Sequence, residues 1–250
     1  MSTAPLLETR GLTRQFGGLL AVDDLSFDVT AGTILGVIGP NGAVKSTFIN
    51  LVTGHIPPTS GRVLIDGQDM TGAKPWKIAH AGVARTFQIV KPFRGMTVRE
   101  NVAVAALYGG GHVRSTHAAM VAAQEVLDRV GLGDKAGMVP GELAVADVRR
   151  LELAKALALR PRLLLLDEVM AGLRHSEIDA SLELISRLKA EGMTIVVVEH
   201  VMKAILAVSD EVLVLHRGSV LTRGEPRTVL ADERVIRAYL GEGYARRKGM

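Results

Sequence analysis

The run Gly39-Pro40-Asn41-Gly42-Ala43-Val44-Lys45-Ser46-Thr47 carries the residue types needed to hold a polyphosphate. It follows an apolar, strand-like Thr33 to Ile38 and precedes a helical Phe48 to Val52. A strand, a glycine-rich turn and a helix N-terminus together aim backbone N–H groups at an anion, and the helix dipole adds partial positive charge. Lys45 supplies a mobile point charge for β- and γ-phosphates, the Ser46 hydroxyl suits Mg²⁺, and Thr47 supports the loop.

One residue departs from the pattern G-x-x-x-x-G-K-[ST]: Val44 stands where glycine is expected. Glycine serves there because backbone comes close to phosphate and can need dihedrals that a β-branched residue resists. The expectation is backbone strain of ~1–3 kcal/mol, a factor of about 5 to 150 in affinity.

Further along, Leu163 to Leu166 runs into Asp167-Glu168. An apolar strand ending in two carboxylates places Asp167 to hold Mg²⁺ and Glu168 to polarise the water that attacks a γ-phosphate. Thr194 to Val198 ends in Glu199-His200, where the histidine either touches the γ-phosphate or is structural. Gln88, in Arg85-Thr86-Phe87-Gln88, either offers its amide to Mg²⁺ or water, or is a solvated loop residue. Order and spacing join these pieces into one constellation: the loop at 39–47, Gln88, Asp167-Glu168, then His200.

The elements that must position them read as α/β. A β-rich opening that includes Ser26 to Val29 gives way to a helical stretch of about 96–155, with Val98 to Leu107 and His117 to Val130 separated by Gly109-Gly110-Gly111. Leu163 to Leu166 and Thr194 to Val198, with a helical Ser176 to Ala190 between them, are too uniformly apolar for half-exposed strands. They read as central strands of a parallel sheet covered on both faces, with ligand chemistry beyond their C-terminal ends.

Composition narrows the class. The chain has 250 residues with 48% hydrophobic and 22% charged, as in ordinary folded proteins. It has no cysteine, which excludes disulfides, thiolate metal sites and a cysteine nucleophile, and fits a reducing compartment. Mean hydropathy is +0.24, yet the apolar runs fall far short of the ~20 residues that span a bilayer, and Met1 to Arg10 does not read as a secretory leader. The formal charge is +4, but basic residues are scattered apart from Arg246, Arg247 and Lys248, and aromatics are 4%. Neither suits a nucleic-acid partner.

Over essentially its full length the chain resembles the ATP-binding subunits of ABC transporters, most closely the branched-chain amino-acid importer group. The runs that carry the resemblance are Arg14-Gln15-Phe16-Gly17-Gly18-Leu19-Leu20-Ala21-Val22, Arg85-Thr86-Phe87-Gln88, Asp167-Glu168-Val169-Met170-Ala171-Gly172-Leu173 and Ala238-Tyr239-Leu240-Gly241. The resemblance implies one domain over 1–250: a P-loop NTPase (RecA-like) core with a parallel sheet, an N-terminal antiparallel β-subdomain and an inserted α-helical subdomain. It also implies Phe16 stacked on adenine with Val22 lining the same pocket, and Mg²⁺ held by Ser46, Gln88 and Asp167. The partners implied are a second such subunit, identical or not, and integral membrane permeases, with the chain peripheral on the cytoplasmic membrane face.

In such pairs a signature segment of one subunit meets the ATP of the other. Here that segment is Leu143-Ala144-Val145-Ala146-Asp147. Ala144 lacks the expected hydroxyl, Val145 and Ala146 replace glycines, and Asp147 puts a carboxylate near a polyanion, a repulsion of roughly 3 kcal/mol that Arg149 or Arg150 offsets in part. Arg174-His175-Ser176-Glu177 also departs from the family pattern. With Val44, these departures frame the alternative to an ATP-driven importer subunit: a structural or regulatory subunit with impaired turnover.

Overall fold

The computed structural model describes residues 5–40, 42–109 and 113–240. Asn41, Gly110, Gly111 and the tail from Gly241, with Arg246, Arg247 and Lys248, lie outside the described residues, as do the first four.

The opening is a long hairpin, β1 (Pro5–Phe16) and β2 (Leu19–Thr30), turned at Gly17, whose φ of 57° glycine adopts without strain. β4 (Ser60–Ile65) pairs antiparallel with β1, and β5 (Gln68–Asp69) with β4, giving a four-stranded sheet. The strand expected at Ser26–Val29 is the end of a longer one, because the first half of β2 is largely exposed and bulged against β1 and only Leu25–Val29 keeps an alternating buried pattern.

The second sheet has six strands in the order β10-β9-β3-β8-β7-β6: β3 (Ile34–Ile38), β6 (Val83–Arg85), β7 (Leu163–Asp167), β8 (Thr194–Val198), β9 (Glu211–His216) and β10 (Ser219–Gly224). All neighbours are parallel except β9 and β10. Every residue of β3, β7 and β8 is buried, which is why the sequence shows continuous apolar runs there.

Successive side chains on these strands point to opposite faces. Ile34, Leu164, Leu166, Ile195 and Val197 join a cluster with the helices α3 (Val98–Tyr108), α4 (Thr116–Val130), α5 (Val145–Ala158), α6 (His175–Ala190) and α7 (Met202–Val208). Leu35, Val37, Leu163, Leu165, Val196 and Val198 join another with α1 (Gly42–Val52), α2 (Pro75–His80) and the antiparallel sheet. Fully burying each such side chain stabilises the fold by roughly 1.5–3 kcal/mol.

The segment between β6 and β7 is helical. α3 starts at a capping box, Thr97 accepting from the Glu100 N–H while Glu100 accepts from the Thr97 N–H. α4 starts at Ser115, whose hydroxyl accepts from the Ala118 N–H, and stops at Gly131 with φ of 74°. Among the described residues no helix is long and apolar enough to cross a membrane.

Candidate functional site

Register brings the carboxyl ends of the central strands level. Val37 pairs with Val198, and Val198 with Asp167. The next residues, Gly39, Glu168, Glu199 and His200, therefore leave the sheet along one edge, the edge where ligands bind in open parallel sheets.

At β3 the chain turns at Gly39, where an added Cβ would meet the Leu215 carbonyl oxygen at 2.3 Å, so only glycine fits against β9. Pro40 follows, and helix α1 begins at Gly42, six residues before the expected Phe48, so that Gly42 and Ala43 lie within it. Lys45, Ser46 and Thr47 thus follow directly on the opening residues of α1, whose N–H groups have no intrahelical acceptors. The Lys45 Nζ, buried, donates to the Gly39 carbonyl at 2.6 Å. Burial pushes its ammonium below the ordinary value, and the carboxylates of Glu168 and Asp167 oppose that shift.

Val44 corrects the expectation of strain. It lies inside α1 and is absent from the non-glycine residues with positive φ, so its backbone takes the right-handed dihedrals that valine adopts freely. Its side chain is 8% exposed and belongs to the apolar cluster that includes Phe27 and Phe48.

Asp167 ends β7, held from two sides. Its N–H donates to the Thr86 hydroxyl at 3.1 Å, and Arg85 Nη2 donates to its Oδ2 at 3.2 Å, in an ion pair whose aspartate is buried and whose arginine is largely covered. Arg85 also donates through Nη1 to Asn50 Oδ1 at 2.7 Å and lies 4.5 Å from the Phe87 ring. Burial pushes the Asp167 carboxyl up and the Arg85 guanidinium down; each group's charge counteracts the other's shift.

Glu168 has φ of 50°, the left-handed region that costs a non-glycine residue ~1–3 kcal/mol. Its N–H donates to the Val198 carbonyl at 2.9 Å, which holds that turn. Gln88 Nε2 donates to Glu168 Oε2 at 2.7 Å, and the Gln88 carbonyl accepts from Arg149 Nη1 of α5 at 2.5 Å. Gln88 is thus gripped by the core through its amide and by the helical segment through its backbone. Ser46, Gln88 and Asp167 line one cavity of about 410 Å³ together with Asn50, Arg85 and Lys155. The three are oxygen donors of the kind a hard divalent cation takes, and a single carboxylate suits Mg²⁺, which keeps waters and phosphate oxygens as its other ligands. His200, 57% exposed at its side chain, stands past β8 beside the buried Glu199.

Phe16 is exposed at the end of β1, with the Arg14 guanidinium 4.6 Å from its ring centre. Val22 is fully buried in the cluster beneath the antiparallel sheet, so it supports the strand from below and offers no surface to a ligand.

Leu143 precedes α5 and Ala144 is its N-cap, with no side-chain capping bond. Val145 is 67% exposed, and Ala146 follows it in the first turn. Asp147, expected to repel a polyanion, is buried; Lys135 Nζ donates to its Oδ2 at 2.6 Å and Arg150 lies 3.5 Å from its Oδ1. Arg149, read as a possible counter-charge, serves Gln88 instead. Sequence reasoning missed Arg85, Thr86 and Glu199 as parts of this edge, and Lys135 as the partner of Asp147. The run Arg85-Thr86 beside Gln88 was the one signal available for two of them.

The chain matches the family described as ABC transporter over residues 22–171, and over residues 219–245 the one described as branched-chain amino acid ATP-binding cassette transporter. It is 41% identical over 251 residues to the high-affinity branched-chain amino acid transport ATP-binding protein BraF of Pseudomonas aeruginosa, covering 95% of this chain and 98% of that protein. To the corresponding LivG protein of Escherichia coli K12 it is 40% identical with the same coverage. A crystal structure of an ABC-transporter ATP-binding cassette in its ADP conformation superposes with a TM-score of 0.86 at 30% identity, covering 96% of this chain and all of that one.

Proposed function

The chain belongs to the ABC transporter family of ATP-binding subunits, and on that premise we propose that it drives an importer for branched-chain or similar amino acids by hydrolysing Mg·ATP. In this reading the whole chain is one ATP-binding domain with the helical subdomain of about 96–155 inserted. The observation that carries the reading is the Gln88–Glu168 hydrogen bond of 2.7 Å at the sheet edge that also holds Lys45 and Asp167. Phosphoryl transfer to water needs a positioned carboxylate, a cation and backbone N–H groups at one spot, and these residues supply them.

The roles follow from placement. The amides of residues 39–47, with Asn41 outside the described residues, cradle the phosphates at the start of α1. Lys45 releases the Gly39 carbonyl to take the β- and γ-phosphates, with little further desolvation because its ammonium is already buried. Glu168 orients water, and the Gln88 amide holds its carboxylate in place. His200 meets the terminal phosphate. Ser46, Gln88 and Asp167 would hold Mg²⁺, which when bound neutralises phosphate charge. Phe16, with its ring half exposed, stacks on adenine.

Residues 143–147 face the nucleotide of a second cassette, identical or sibling. The pairing of Asp147 with Lys135 and Arg150 supports this, since it quenches most of the repulsion its carboxylate would otherwise bring. A permease docks beside the helical subdomain, where Ile89 is 72% exposed and Phe93 and Met96 are exposed nearby. In this reading the chain is peripheral on the cytoplasmic membrane face, with no nucleic acid among its partners. The impaired-turnover alternative leaned chiefly on strain at Val44, and helical dihedrals there remove that support.

The test is direct. Purified chain should bind Mg·ATP with micromolar affinity and hydrolyse it, and reconstitution with its permease should couple hydrolysis to uptake of leucine, isoleucine or valine. Absence of nucleotide binding would refute the motor; hydrolysis coupled to an unrelated cargo would refute only the substrate assignment.

A further inference from the structure

Glu199 has no part in the roles above, yet it is the most unusual carboxylate at this edge. It leaves β8 between β3 and β7 and is 0% exposed. Its Oε1 accepts from the Met170 N–H at 2.8 Å, in the turn that follows Glu168. Its Oε2 is buried and, among the described residues, has no hydrogen-bond partner. A buried carboxylate oxygen without a donor is costly, and a role in catalysis is one of the reasons a folded protein keeps such a group.

One donor is at hand. His200 Nδ1 lies 4.0 Å from that oxygen, too far for a hydrogen bond and within a side-chain rotation of making one. The imidazole is more than half exposed. Burial pushes the Glu199 carboxyl up, while the Met170 amide and the neighbouring histidine hold it back.

We propose that Glu199 is a positioning residue for hydrolysis: one oxygen fixes the turn behind Glu168, and the other takes the Nδ1–H of His200 when that ring closes on the nucleotide. With Nδ1–H held, Nε2 is the nitrogen left to meet the terminal phosphate, as a donor when the ring carries its second proton. The two strand ends that flank the reaction are thereby tied through one side chain. The inference rests on the ATPase reading above.

Glu199→Gln separates the two halves of the role. Glutamine keeps a carbonyl oxygen for the Met170 N–H, but its NH₂ cannot accept from His200. In single-turnover hydrolysis by the full chain, Glu199→Gln should bind Mg·ATP within about twofold of wild type, melt no lower, and react about tenfold slower. Combined with His200→Ala it should slow the reaction no further than His200→Ala alone, because the two residues act as one unit. A wild-type rate for Glu199→Gln, or losses that multiply in the double variant, would overturn the proposal. Ring ¹⁵N spectra give a readout independent of turnover: with Mg·ATP bound, His200 should carry Nδ1–H in wild type and lose that preference in Glu199→Gln. A His200 ring without Nδ1–H in wild type sinks the pairing outright. If wild type bound nucleotide but did not hydrolyse it, the ATPase reading would fall, and the spectra alone would decide the pair.

Discussion

Replacing Val44 by glycine restores the residue that the phosphate-loop pattern asks for, so it tests whether pattern or conformation governs this site. Two costs can be worked from the structure. Val44 is 8% exposed within an apolar cluster, so truncation forfeits roughly 1.5–3 kcal/mol of burial. Glycine in place of valine inside a helix adds a few tenths of a kcal/mol. A total of about 2–3 kcal/mol should lower the melting temperature by roughly 4–12 °C for a chain of this size. On the binding side, valine's dihedrals here are helical and there is no strain for glycine to relieve. Mg·ATP affinity of Val44→Gly should therefore stay within about threefold of wild type, where a strained loop would have given a gain of about 5- to 150-fold. Thermal melting and nucleotide titration on the same preparations decide the matter. A variant that binds more than tenfold tighter, or melts unchanged, would show that Val44 does obstruct the phosphates or is not packed as described.

Glu168→Gln should retain Mg·ATP while hydrolysing it about 10²- to 10⁴-fold more slowly in single-turnover assays, the range for losing a general base. Arg85→Met leaves Asp167 buried without its partner and should destabilise by about 3–5 kcal/mol, a melting temperature lower by roughly 6–20 °C; a loss below about 1 kcal/mol would mean the pair is not formed in solution. Glu199→Gln should change how stability depends on pH. Burial raises the folded carboxyl above its unfolded value, so the folded chain holds this proton more tightly. That contribution is fully present below the unfolded value and is lost as pH rises through the folded one. The melting temperature of Glu199→Gln relative to wild type should thus climb from pH 4.5 upward, and a flat or falling difference would contradict the assignment.

Linear motifs made much of the architecture legible. The runs at 163–166 and 194–198 announce buried parallel strands because every residue in them is apolar, apart from the threonine that opens β8. Asp167-Glu168 and Lys45-Ser46 stand out for a like reason, being polar residues abutting apolar runs. What the chain hides is pairing across distance. Arg85 reaches Asp167 over 82 positions, and Lys135 reaches Asp147 from a separate helical turn. Neither distance nor direction is written locally, so the rescue of Asp147 could be guessed from Arg149 or Arg150 and not from Lys135. Val44 illustrates a different gap: a pattern names a residue type, whereas strain belongs to a dihedral angle. Glu199 was overlooked because its anomaly is an unmatched atom, which only coordinates reveal.

The double grip on Gln88 has a mechanical meaning. Its side chain is fastened to Glu168 and its main chain to Arg149, so the loop has few coordinates left to vary by itself. A tilt of α5 that draws Arg149 away must either stretch that link or haul the amide off the carboxylate. The arrangement is a crank: rotation at one end becomes a change in where a single carboxylate points at the other.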